Sequence, residues 1–116
     1  MTITRKMERV QRELQRRIAS LVLVELKDPR LAYPFAITDA QISGDLRVLK
    51  VFVSIDAPAP EQEVVLGVLQ KASGRIRHLM GEGLELRIIP EVRFLLDDTP
   101  EKAQRIDQII DGLHRD

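Results

Sequence analysis

Ile3, Met7, Val10, Leu14, Ile18 and Leu21 recur at steps of three and four. That spacing places one apolar stripe along an α-helix and predicts a first helix from about Ile3 to Lys27, capped by Thr2. Asp28-Pro29-Arg30 ends it, because the residue before a proline avoids the α region and the ring cannot extend the hydrogen-bond ladder. The period then falls to two. Phe35 to Ser43 reads as a strand, with a slip between Ile37 and Ala40 that suggests a β-bulge. Gly44-Asp45 marks a turn. Leu49, Val51, Val53 and Ile55 alternate with Lys50, Phe52 and Ser54, giving a second strand from Val48 to Ile55. The two strands lie close enough in sequence to form an antiparallel hairpin.

Beyond the stiff connector at 56–60, the helical period returns from about Glu61 to Met80. Val65, Leu66, Val68, Leu69, Ala72, Ile76, Leu79 and Met80 form its apolar face. Gly67 and Gly74 interrupt this run, each at about 1 kcal/mol relative to alanine. Ala72-Ser73-Gly74 therefore predicts a kink, with Ala72 and Gly74 as its two small residues. Gly67, Lys71, Gly74 and His78 share a second face, half glycine and half cationic, on which the backbone can approach an anion. A helix that restarts near Gly74 would present unpaired N–H groups and a positive dipole end. Gly81-Glu82-Gly83 stops the run. Leu86, Ile88, Pro90, Val92, Phe94 and Leu96 alternate as a third strand, and Pro90 implies an edge or a bulge. Thr99-Pro100-Glu101 opens a last helix, with Ala103, Ile106, Ile109, Ile110 and Leu113 on its apolar side. The order is α-β-β-α-(kink)-α-β-α. It predicts an α+β domain over residues 1–116, a three-stranded mixed sheet with its helices packed on one face, and a right-handed crossover between strands two and three.

Composition narrows the chemistry. Only 3% of the 116 residues are aromatic, so the core is aliphatic and a base-stacking platform is not expected. There is no cysteine, which removes disulfides and thiolate sites and suits a reducing compartment. No apolar run has membrane-spanning length, and the N-terminus has no apolar signal core. The formal net charge is zero, but it is unevenly spread. Residues 1–30 carry eight Lys/Arg against four Asp/Glu, and residues 95–116 carry three against six. The basic end could face a polyanion. Arg5, Arg9, Arg12 and Arg16 fall within a sector of roughly 60° on the first helix, opposite its apolar stripe. Arginine is the preferred phosphate ligand because its planar fork bonds two oxygens at once. A solvated charged face is the plain alternative. A second functional reading makes the chain a protein-interaction module, with the apolar stripe of the first helix pairing with a partner helix.

Enzymatic signatures are missing. Neither G-x-x-x-x-G-K-[ST] nor G-x-G-x-x-G occurs. His78 and His114 have no second histidine at ligand spacing, so no metal site is expected. Asp97-Asp98 reads as acidic charge ahead of a helix rather than a catalytic pair.

Short segments in order carry a resemblance. They are Arg9-Val10, Lys27-Asp28-Pro29-Arg30, Ser43-Gly44-Asp45-Leu46, Lys50-Val51-Phe52-Val53-Ser54, Lys71-Ala72-Ser73-Gly74 with Ile76-Arg77, Pro90-Glu91-Val92-Arg93-Phe94, Asp97 and Arg105-Ile106. Together they resemble ribosome-binding factor A, a bacterial family of small-subunit assembly proteins. The resemblance implies a type II KH-like fold in which an Ala-x-Gly kink, matched by Ala72-Ser73-Gly74, replaces the G-x-x-G loop of ordinary KH domains. It implies binding to the small ribosomal subunit through its rRNA and support of late rRNA maturation. It further implies a monomeric, non-enzymatic, cytoplasmic protein without cofactor, metal, membrane or small-molecule substrate. The chain departs from the family at Lys102-Ala103-Gln104, where a glycine is expected, and it has no charged tail after the last predicted helix. The RNA-contacting residues expected on this reading are Arg5, Arg9, Arg12 and Arg16 on the first helix, and Lys71, Ser73, Arg75 and Arg77 around the kink.

Overall fold

The computed structural model describes residues 4–97. Its elements are α1 (Arg5–Glu25), β1 (Phe35–Ile42), β2 (Val48–Ile55), α2 (Ala59–Lys71), α3 (Ser73–Gly81) and β3 (Glu91–Leu96), with a 3-10 turn at Pro29–Leu31. The order α-β-β-α-α-β is that expected for a type II KH-like α+β fold. The predicted last helix, from Thr99, lies outside the described residues, as do Asp98 and His114.

Helix α1 begins later than its periodicity suggests. Thr4, not Thr2, is the cap: its Oγ1 accepts a hydrogen bond from the Met7 amide at 3.1 Å. Leu14, Ile18 and Val22 are buried, and Met7, Val10 and Leu21 pack at the margin of the same core. The described part of the apolar stripe thus packs within the chain's own core, against β1 and α3. After α1, the Asp28 carboxylate accepts from the Arg30 amide at 2.9 Å and pairs with the Arg30 guanidinium at 2.7 Å. Those bonds hold its pKa down at about 2, chiefly through the guanidinium and then the amide.

The sheet order is β1-β2-β3, antiparallel then parallel. The register shifts between Ile37 and Asp39, the bulge anticipated from the broken alternation. The hairpin turn falls at Gly44-Asp45, as its sequence signal indicates. Its left-handed residue is Leu46 (φ 63°). Ser43 enforces this shape, because its Oγ accepts from the Arg47 and Val48 amides. Strand β3 is shorter than the alternation from Leu86 implies. Pairing starts with the Glu91 amide on the Arg47 carbonyl at 2.8 Å, and Pro90 sits just before it at a position whose N–H would face away from β2, where proline is tolerated.

Helix α2 starts at Ala59, earlier than Glu61, with Pro60 in the first turn where its missing N–H costs nothing. The break between α2 and α3 falls at Ala72 rather than Gly74. Ala72 stays in the right-handed region (φ −85°, ψ −3°). Its amide is shared between the Val68 and Leu69 carbonyls, both at 3.1 Å. Gly74 is therefore an ordinary helical residue within α3, and Gly83 is the glycine with positive φ (76°). Val65, Leu69, Ile76 and Met80 join Leu14 and Ile18 in one core cluster with Leu49, Val51, Val53 and Val92. All three helices thus cover the same side of the sheet.

Candidate nucleic-acid interface

The arginine row of α1 is exposed along its length. Arg5, Arg9 and Arg12 make no hydrogen bond or ion pair among the described residues. Arg16 pairs with Glu13, its neighbour one turn back. Arg17, on the flank of the row, also reaches Glu13 at 3.1 Å. These two guanidiniums, Arg16 first, hold the Glu13 carboxyl below its ordinary range. Three of the four predicted arginines thus keep their donors for an outside partner.

The kink residues diverge. Arg75 turns toward α1 and meets the Glu25 carboxylate at 3.0 Å. Arg77 donates from Nε and Nη2 to one carbonyl, that of Ile89, at 3.0 and 2.7 Å. It anchors the segment before β3 and still borders the surface. Lys71 is exposed and has no partner among the described residues. Ser73 is half-buried, with its Oγ 3.4 Å from the Gln70 amide nitrogen.

Ser73, Gly74 and Arg77 line a groove of about 510 Å³ whose other wall is β3, from Glu91 to Leu95. A second groove of about 740 Å³ continues past Gly74 and Arg77 along α3, beside His78, Gly81 and Arg87. A Cβ built on Gly74 would meet no atom within 4 Å, and the same holds for Gly67. The half-glycine face read from the sequence is open. Gly81 differs, since a Cβ there would come within 3.0 Å of Ile89.

The helices that carry the two surfaces are tied together. Arg17 Nη1 donates to the Glu82 carbonyl at 2.8 Å and to the Met80 carbonyl at 3.3 Å, which satisfies the C-terminal end of α3. Together with Arg75–Glu25, this fixes α3 beside α1. Among the described residues no group of three or more His, Asp or Glu could hold a metal ion, and no helix is long and apolar enough to cross a membrane.

Residues 6–110 match the family model described as Ribosome-binding factor A. The chain belongs to the ribosome-binding factor A family. It is 36% identical over 107 residues to ribosome-binding factor A of Caldanaerobacter subterraneus subsp. tengcongensis, covering 92% of this chain and 88% of that one. It is 38% identical to the Halothermothrix orenii protein, with 84% and 79% covered. The crystal structure of ribosome-binding factor A from Thermus thermophilus aligns with a TM-score of 0.67 at 26% identity, over 77% of this chain and 93% of that one. Coordinates of the Thermus thermophilus factor fitted into a cryo-EM map of a 30S–RbfA complex align with a TM-score of 0.62, also at 26% identity, over 75% and 90%.

In this ribosome-binding factor A chain, the groove brings in residues that sequence reasoning missed. Gln70, Arg93 and Arg87 border it or its continuation. Gln70 reads in sequence as one more polar helix position, and the two arginines as the outward half of a strand. Only the parallel pairing of β3 brings Arg93 opposite the α2–α3 junction.

Proposed function

We propose that the chain binds the small ribosomal subunit through its rRNA and supports late maturation and rRNA processing of that subunit, without catalysing a reaction itself. What supports this reading is the row Arg5, Arg9 and Arg12, without partners among the described residues, on a face opposite the sheet. Unpaired guanidiniums in a row match the spaced oxygens of a phosphate backbone. The Gly74 groove provides a second approach, wide enough for a backbone to come close, with Ser73 and Arg77 in its lining and the exposed Lys71 next to it in the chain. Few aromatics are available, so recognition works by phosphate and shape. On this reading the whole chain is one monomeric, cytoplasmic RNA-binding unit without a cofactor.

The test is co-sedimentation of Arg9→Glu/Arg12→Glu with immature and with mature small subunits across a salt series. Exposed substitutions of this kind change stability by about 0.5 kcal/mol or less, so the fold should persist. Binding at low salt should fall about tenfold or more, and the wild-type salt slope should flatten by about one unit per lost phosphate contact. Sedimentation equal to wild type at low salt overturns the reading.

A further inference from the structure

Among the described residues β3 is an edge strand, and its outer amides face the groove. The Glu91 amide bonds the Arg47 carbonyl and the Asp97 amide bonds the Val53 carbonyl. By the alternation of a parallel ladder, the amides of 91, 93, 95 and 97 face β2, and those of 92, 94 and 96 face outward. Outward amides are what the edge of an unpaired nucleobase can hydrogen-bond. The middle one is already engaged: Gln70 Oε1 accepts from the Phe94 amide at 2.9 Å. The same side chain turns its nitrogen to Ser73 Oγ at 3.4 Å. A carboxamide presents an acceptor and a donor side by side, the pattern found on the pairing edge of a base. Gln70 therefore fills the groove wall at its centre with a built-in mimic of a nucleobase edge.

We propose that Gln70 is a specificity-determining residue: by occupying the Phe94 amide it withholds the strand edge from nucleobases and restricts the groove to RNA backbone. This rests on the groove being an RNA surface, as argued above. A purely structural role is the competing account. Gln11 does something similar at the opposite edge, where its Oε1 accepts from the Ile42 amide at 2.8 Å, and covered edges resist strand pairing between molecules. The two accounts differ in what happens to RNA binding when the side chain is removed.

Gln70→Ala opens the edge, and Gln70→Met opens it while keeping the side-chain volume. Both are titrated, with wild type, against the four single-stranded homopolymeric oligoribonucleotides and an RNA duplex. Wild type should bind the four homopolymers alike. Both variants should bind at least one of them about two- to tenfold tighter, the range of one net neutral hydrogen bond, with no gain on the duplex. Equal affinities for wild type and both variants on all four overturn the proposal, as does an equal gain on duplex and single strands. Ser73→Glu, which sets a negative charge in the groove, separates the two levels. If it weakens small-subunit binding while the Gln70 variants match wild type, the groove stands and the role of Gln70 falls. If Ser73→Glu binds subunits like wild type, the groove reading fails and this proposal with it.

Discussion

At Gly74 a helical backbone coincides with empty space. A glycine can be demanded by its backbone angle or by the closeness of a neighbour, and the structure shows neither here. Gly74→Ala should therefore stabilise the fold by about 0.4–1 kcal/mol through the unfolded chain. It should also weaken small-subunit binding, because a methyl then stands in the groove. A denaturation curve and a subunit titration on the same variant check both halves. Lower stability would contradict the helical geometry, and unchanged binding would take Gly74 out of the interface. The break beside Gly74 and its helical backbone were legible in the sequence, because the apolar spacing resumes at Ile76 and Leu79; the residue at which the break falls was not, since periodicity cannot separate a kink at Ala72 from one at Gly74. The hairpin turn shows the same limit. Its place is readable from Gly44-Asp45, but not that Leu46 takes the left-handed conformation beside the Ser43 hydroxyl bonds.

Among the elements, α1 and α3 are joined by one guanidinium more than by charge in general. Arg17 closes the end of α3 from a position beside the exposed row. Arg17→Ala should cost about 1–2 kcal/mol, the range for losing charge-assisted bonds at a partly exposed site. It should also weaken subunit binding, although Arg17 lies outside the row, because α3 loses its fixed place beside α1. Binding at the wild-type level in a variant that melts earlier would separate stability from positioning. Helix and strand periods were readable because each element buries one side against a single core. The breaks were not, because they depend on contacts across the chain. The start of β3, for example, is set where the Glu91 amide meets the Arg47 carbonyl. Arg75 and Arg77 are expected RNA contacts from sequence, and their ties to Glu25 and to the Ile89 carbonyl could not be read there, because both partners lie far away in the chain.

For the molecule as a whole, acid stability follows from carboxylates that folding holds ionised. Asp28 titrates at about 2 in the folded chain against an ordinary value of 3.8, and Glu13 is shifted in the same direction. A depressed carboxylate contributes stability above its unfolded pKa and loses it as pH falls through the folded one. Unfolding midpoints should therefore decline between about pH 4 and about pH 2, and Asp28→Asn should make that decline shallower. An identical acid limb in the variant would show that the Arg30 pair forms equally in the unfolded chain. The parallel pairing of β3 has a consequence in time. Strands β1 and β2 close across residues 43–47, whereas β2 and β3 must wait for residues 56–90 to fold back. Loop-closure entropy makes the second step costlier by about 1.7 kcal/mol, and a contact so distant in sequence slows folding. The hairpin should assemble early and β3 arrive last. The amides of 91, 93 and 95 should then exchange with deuterium ahead of those in the β1–β2 ladder; the reverse order would refute this sequence of events. Because β3 is one wall of the groove, a chain still in the act of folding has no groove to offer, so the RNA contact proposed there would be open only to finished molecules.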